Sequence, residues 1–211
     1  MNASLAACEK PLSAGLAALK LDRPELRKQL LAYLAELEKW NQAYNLTAVR
    51  EPRDMVTRHL VDSLAVLPFM SGRVLDVGSG AGLPGIPLAL ANPALKVTLL
   101  DSNGKKTRFL RHVQRTLNLK NVEVVESRLE EYQPDAAFNT VVSRAFSSLG
   151  EFFDAAVRLC ADGGRLVAMK GKLDPKEVGG VPDGVLIKEM RRLQVPGLAE
   201  ERHVVLAAPH H

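Results

Sequence analysis

Apolar positions in the first third of the chain recur at helical spacing. Leu26, Leu30, Leu31, Leu34 and Leu37, with Trp40 and Tyr44, form a stripe that starts just after Pro24, a favoured first-turn residue. The stripe breaks over residues 41–47. A further helix is expected over residues 53–67, with Val56, Leu60, Leu64 and Leu67 on one face and Pro68 and Gly72 ending it. From Arg73 the pattern changes. Short β-rich runs at 74–77, 96–100, 122–125, 140–143 and 165–169 alternate with helical stretches at 84–91, 105–117 and 149–160. Strands alternating with helices imply βαβ units and a mostly parallel sheet. The tail differs. Residues 185–193 and 203–207 read as two strands joined by Gln194-Val-Pro-Gly-Leu198 without a helix, so an antiparallel pair is expected at the end of the sheet. The fold class expected is α/β, with a helical N-terminal extension over 1–70 and a single compact sheet domain over 71–209.

Composition narrows this only modestly. The 211 residues carry a net charge of +4, which permits an anionic partner such as RNA without requiring one. Two cysteines, Cys8 and Cys160, exclude a disulfide framework and a cysteine-rich zinc site, so no metal is expected and a reducing cytoplasm fits. Cys160 is expected late in an amphipathic helix, in the core. No run approaches the roughly 18 apolar residues of a membrane span. Leu5-Ala-Ala-Cys8 superficially resembles a lipoprotein cleavage box, but a basic n-region and an apolar stretch are lacking. His210 and His211 read as a tag remnant. A monomer is expected.

The chemistry concentrates in Val74-Leu-Asp-Val-Gly-Ser-Gly-Ala-Gly-Leu-Pro-Gly85, a buried strand running into a glycine-rich loop and a helix. Gly78, Gly80 and Gly82 can take positive φ and let main-chain N–H groups reach a bound molecule. Gly80-Ala-Gly-Leu-Pro-Gly85 is literally a G-x-G-x-x-G, a weak dinucleotide signal. Its register counts against a nicotinamide. The glycine that follows the strand is Gly78, and the third position counted from it is Leu83. Asp76 sharpens the choice, because a carboxylate beside a pyrophosphate is repelled and one beside an ammonium is favoured. S-adenosylmethionine carries an ammonium and a sulfonium and no phosphate, and is the expected ligand. Asp101 ends the second strand, where an acid can accept hydrogen bonds from ribose hydroxyls or cap the next helix.

With these residues in view, the chain resembles class I S-adenosylmethionine-dependent methyltransferases with a Rossmann-like fold, and within them the RsmG (GidB) family. The resemblance rests on Trp40-Asn-Gln-Ala-Tyr-Asn-Leu-Thr-Ala-Val-Arg50, Arg58-His59, Asp62-Ser63 and the segment 76–87. It extends through Leu99-Leu-Asp-Ser102, Lys105-Lys-Thr-Arg-Phe-Leu110, Ser127-Arg128, Ser143-Arg-Ala-Phe146, Lys170-Gly171 and Glu201-Arg-His203. It covers residues 20 to 208. It implies methylation of N7 of one guanine in 16S ribosomal RNA in the bacterial cytoplasm, and a seven-stranded sheet. It also implies cofactor contacts at Gly78, Leu83, Leu129, Glu130 and Arg144, with Asp101 on the ribose. For Leu129 the residues alone say only that an apolar side chain after a strand could cover a flat base.

Guanine N7 carries a free lone pair, so its methylation needs no proton removed and no covalent intermediate; positioning and electrostatics suffice. Ser143-Arg-Ala-Phe146 stands where amino-group methylators carry Asn/Asp-Pro-Pro-Tyr/Phe, and no Pro-Cys pair marks a cytosine-C5 nucleophile. Arg144, at the carboxyl end of a strand, is the residue expected to do active-site work. Phe146 could stack on the target base or sit in the core. For RNA contact the candidates are Lys105, Arg108, Arg111 and Arg115 on one helix, Arg50, Arg53, Arg58 and His59 near the junction with the sheet, and Lys170, Lys172, Arg202 and His203 at the rim. His59 could instead brace Asp62. The alternatives are a methyltransferase acting on another RNA or a small molecule, and a non-catalytic RNA-binding or assembly protein.

Overall fold

Seven strands form one sheet in the order β3-β2-β1-β4-β5-β7-β6 in the computed structural model, which describes residues 3–144, 146, 148–173 and 175–210. The strands are β1 (Arg73–Val77), β2 (Lys96–Asp101), β3 (Val122–Glu126), β4 (Phe138–Ser143), β5 (Cys160–Lys170), β6 (Val185–Leu193) and β7 (Arg202–Pro209). The first five pair in parallel, and β7 runs antiparallel between β5 and β6. The tail is therefore the expected antiparallel pair, inserted so that β7 meets β5. Its register sets Lys170 opposite His203, which brings the start of β7 to the carboxyl ends of the parallel strands. Cys160 is buried as expected, but it opens β5. The preceding helix α7 (Leu149–Ala156) ends early in a short 3-10 turn, Val157–Leu159.

Strand residues alternate between two cores. Val74, Val97, Leu99, Val142 and Val167 face the helices α1 (Ala3–Ala18), α2 (Pro24–Tyr44), α5 (Gly85–Ala91) and α6 (Gly104–Thr116). Leu75, Leu100, Val141 and Leu166 face α7. Helix α2 starts at Pro24 and buries Leu26, Leu30, Tyr33, Leu34 and Leu37. It ends at Asn45, whose φ of 50° is the left-handed conformation that asparagine tolerates. Arg50 donates from Nη1 to the Asn41 carbonyl (3.1 Å) and from Nη2 to Asn45 Oδ1 (2.6 Å), so it closes this helix end. Asn103 caps α6 by accepting from the Lys105 and Lys106 N–H groups.

The segment expected as one helix over 53–67 is interrupted. α3 (Pro52–Met55) passes into a π-helical stretch, Val56–Val61, then α4 (Asp62–Leu64) and a 3-10 turn, Leu67–Phe69. The wider π turn shifts the faces, and His59, Leu60, Val61, Asp62, Ser63 and Leu64 are all buried. A single core runs from Cys8 through α2 and α5 to Val204 of β7. No helix among the described residues is long and apolar enough to cross a membrane.

Candidate functional site

The glycine loop joins β1 to α5. Gly78, Gly80 and Gly82 have φ of 68°, 60° and 91°, all in the region where a Cβ is strained. The amides are spent inside the protein. Gly78 and Ser79 donate to the Leu100 carbonyl, Gly82 and Leu83 to the Ser79 carbonyl, Gly80 to Asp101 Oδ2 and Gly85 to Asp76 Oδ2. The expectation that these N–H groups reach outward to a ligand is thus not met. Two carboxylates occupy the positions an anion would take in a phosphate-binding loop. Such a loop repels a pyrophosphate and leaves no row of donors to receive one.

Asp76 is fully buried. Its Oδ2 accepts from Gly85 at 2.9 Å, while Oδ1 has no partner. Burial pushes the carboxyl up to about 7, against the Gly85 hydrogen bond and Arg144, which pull it down. An unsatisfied buried acceptor of this kind suits a cationic group. Gly85 must be glycine, because a Cβ there would lie 2.2 Å from Leu99 Cδ2 and 2.7 Å from Asp76 Oδ2. Tyr33 of α2 donates its buried hydroxyl to the Ala81 carbonyl at 2.6 Å, and Arg23 donates to the Ala91 carbonyl at the end of α5. The helical extension therefore grips both the loop and the far end of the helix it starts. Nothing in the helical periodicity distinguishes Tyr33 from its apolar neighbours.

Beside the loop, at the carboxyl ends of β1, β2 and β3, lies a cleft of about 340 Å³. Val77, Gly78, Leu100 and Leu129 give it apolar walls; Asp101, Ser102, Lys106, Ser127, Arg128 and Glu130 give it a polar rim; Phe146 closes one side. Asp101 is nearly buried, and its two oxygens accept from Gly80 (2.8 Å) and Asn103 (2.9 Å). Each oxygen retains a second lone pair. Asn103, not Asp101, caps α6. Arg158, which the sequence does not single out, donates to the Leu129 and Tyr132 carbonyls and fixes the wall that carries Leu129 and Glu130. Phe146 packs on Phe152 with ring centroids 5.2 Å apart. Asp76, Gly80, Gly82 and Leu83 stand behind this cleft and do not line it. Ala145, within the Ser143–Phe146 motif, lies outside the described residues.

A second pocket of about 350 Å³ lies next to the first along the same rim, lined by Val49, Arg58, His59, Asp62, Arg144, Met169, Lys170, Gly171 and Arg202. Arg144 opens into this pocket rather than the first. It donates from Nη1 to the Arg58 carbonyl (3.2 Å) and to Asp62 Oδ2 (3.4 Å). Arg202 Nε donates to Asp62 Oδ1 at 3.1 Å. Burial pushes the Asp62 carboxyl up, and the Arg144 and Arg202 guanidiniums pull it back. His59 does not brace Asp62: its Nε2 bonds to Thr47 Oγ1 at 2.7 Å. Burial and then Arg144 push its pKa down to about 4, so the ring is neutral at physiological pH. Arg58 pairs with Glu200, Lys170 with Glu177 (2.8 Å), and His203 Nδ1 meets the Gly171 carbonyl at 2.7 Å.

The remaining cations fall elsewhere. Arg108, Arg111 and Arg115 line a groove by Glu126 at the β3 edge, with Arg111 paired to that acid at 3.3 Å. Lys105 is exposed on the same helix but outside the groove. Arg50 lines none of these pockets. The strand order thus sets three features in a row: arginine groove, apolar-walled cleft, cationic pocket.

Residues 26–205 match the GidB family, described as rRNA small subunit methyltransferase G. The chain belongs to this family. It is 50% identical over 196 residues to the ribosomal RNA small subunit methyltransferase G of Alkalilimnicola ehrlichii, covering 92% of this chain and 89% of the relative. To the protein of the same name from Chromobacterium violaceum it is 52% identical over 197 residues, covering 92% and 94%. The fold recurs in solved structures. TrmN from Thermus thermophilus matches with a TM-score of 0.55 at 18% identity, over 74% of this chain and 53% of that one. The glycopeptide N-methyltransferase MtfA, crystallised with sinefungin, matches with a TM-score of 0.59 at 14% identity, over 72% and 85%. Membership in the rRNA small subunit methyltransferase G family agrees with the sheet order and with the cleft at the carboxyl ends of its parallel strands.

Proposed function

We propose that this chain transfers a methyl group from S-adenosylmethionine to N7 of a guanine in small-subunit (16S) ribosomal RNA. The observation that carries the reading is the glycine loop whose Gly80 and Gly85 amides are held by Asp101 and Asp76 next to an apolar-walled cleft. Family membership supplies the class of acceptor. The residues present fit the cofactor. The open lone pairs of Asp101 suit ribose hydroxyls, Leu129 with Leu100 suits the flat adenine, and Asp76 acts from behind the cleft by holding the Gly85 amide at the end of the loop. Gly78 and Glu130 border the same cleft, while Gly80, Gly82 and Leu83 set the loop's shape from behind.

Bound there, S-adenosylmethionine supplies a methyl group on a positively charged sulfur. The chain's own part is positional. N7 offers its lone pair without losing a proton, so no general base is needed. The neutral, buried His59 is consistent with that. Arg144 holds the acceptor side, and Phe146, two positions on, lines the cofactor side. Lys105, Arg108, Arg115 and Arg202 contribute positive potential for RNA along the rim, and His203 offers a hydrogen-bonding ring beside them. The reading places the protein in the cytoplasm as a monomer, with residues 1–70 and 71–209 working as one unit.

The test uses small subunits from cells lacking the endogenous methyltransferase, incubated with this protein and methyl-labelled cofactor. Label should enter the small-subunit RNA in proportion to protein. Absence of label, with cofactor bound, would overturn the substrate; absence of cofactor binding would overturn the enzyme reading altogether.

A further inference from the structure

Asp62, only 1% exposed, is the one acid among the described residues that line the cationic pocket. Two arginines from distant segments converge on it. Arg144 follows β4 and reaches Oδ2; Arg202 starts β7 and reaches Oδ1 through Nε. The pocket's other cations are tied to acids at its edge, Arg58 to Glu200 and Lys170 to Glu177. Placing a carboxylate between two guanidiniums fixes the plane and direction of each fork. The Nη2 groups of both arginines make no hydrogen bond to the described residues, and both arginines line the pocket. Of the residues lining this pocket, His59 also presents a buried ring nitrogen, Nδ1, that no hydrogen bond satisfies, while its other nitrogen is held by Thr47.

The pocket's place in the fold gives this meaning. Ser143, the last residue of β4, donates its hydroxyl to the Val77 carbonyl, just before Gly78 at the cofactor cleft. Arg144 then opens to one side and Phe146 to the other. Two residues only two positions apart in the chain thus line the two different pockets. Donors aimed by a buried acid suit an acceptor-rich ligand, and guanine presents O6 beside N7 on one edge. Resting on the methyltransferase reading above, we infer that this pocket seats the acceptor guanine nucleotide through O6 and phosphate oxygens, and that Asp62 is the positioning residue that aims Arg144 and Arg202 at it.

Two variants test this. Asp62→Asn keeps the shape and removes the charge. Arg202→Lys keeps the charge and removes the fork. Each is assayed for cofactor affinity by calorimetry, for kcat and KM on undermethylated small subunits, and for guanosine monophosphate binding by ligand-observed NMR with S-adenosylhomocysteine present. The wide RNA contact surface holds KM, whereas nucleotide aim acts at the transition state. Both variants should bind cofactor within twofold of wild type and change KM less than threefold. Asp62→Asn should lose at least 100-fold in kcat, Arg202→Lys about 10-fold, and both should lose the nucleotide signal. Unchanged kcat in Asp62→Asn would overturn the inference. So would cofactor affinity falling in parallel with kcat, which would place Arg144 on the cofactor. If wild type methylates no subunit but binds the nucleotide in an Asp62-dependent way, the pocket stands and the ribosomal reading falls. If it does neither, both fall.

Discussion

Asp76 shows how one side chain connects fold, pH and binding. Its carboxyl titrates near 7 in the folded chain and at an ordinary 3.8 when unfolded. Between those values the folded chain binds the extra proton, so this group's stabilisation is full below about 4 and is lost as pH rises through 7. His59 has the opposite sign. Its pKa falls from 6.5 to about 4 on folding, so stability is lost as pH drops through that window. The two slopes oppose each other between pH 4 and 6.5. Replacing Asp76 by Asn should therefore expose the His59 slope, and thermal melts of the variant should fall more steeply than wild type from pH 6.5 to 4. Equal slopes would show that Asp76 is ionised throughout. A cofactor cation in the adjoining cleft favours the ionised carboxylate through space, so binding near pH 7 should also release a proton. Calorimetry in buffers of different ionisation heat should detect that release in wild type and none in Asp76→Asn. The sequence showed Asp76 and its loop plainly. It did not show that two carboxylates and two backbone carbonyls would take up the loop's amides, because hydrogen-bond direction is a property of the fold.

At the scale of elements, the helical extension has a second task beyond covering the sheet. Tyr33 ties α2 to the loop and Arg23 ties the chain before α2 to the end of α5. Tyr33→Phe removes the buried donor and leaves the Ala81 carbonyl unsatisfied, at roughly 1–3 kcal/mol of stability. Cofactor affinity should fall several-fold while the far-ultraviolet spectrum stays the same. Affinity equal to wild type would show that the loop holds its shape without α2. Strand and helix positions were legible from alternation and period because each face meets one core. The π-helical stretch was not. A regular period expected Val56, Leu60, Leu64 and Leu67 on one stripe, whereas across the π-helical stretch His59 and Asp62 are buried together with Val56, Leu60 and Leu64, and Leu67 is only half-buried. Cys160 was misplaced for a related reason: an apolar residue after a helix fits a helix end or a strand start equally well.

For the whole molecule, the division at residue 70 follows the chain but not the core. Leu12, Leu16, Leu30 and Leu37 share one apolar cluster with Ile86, Leu99 and Val204. Removing residues 1–70 would bare that surface, so a fragment of 71–209 should aggregate or bind a hydrophobic dye, and a cooperative melt from the fragment would contradict a shared core. Across the intact molecule, the order of arginine groove, apolar-walled cleft and cationic pocket along one rim, with the roles proposed for them, makes a single prediction about chemistry. The most direct measurement maps N7-methylguanine by borohydride and aniline cleavage in 16S RNA from undermethylated small subunits treated with this protein and S-adenosylmethionine. One strand break should appear that needs both protein and cofactor and disappears with Asp62→Asn. Methyl transfer with no such break, or breaks scattered over many guanines, would contradict a site built to present one guanine N7.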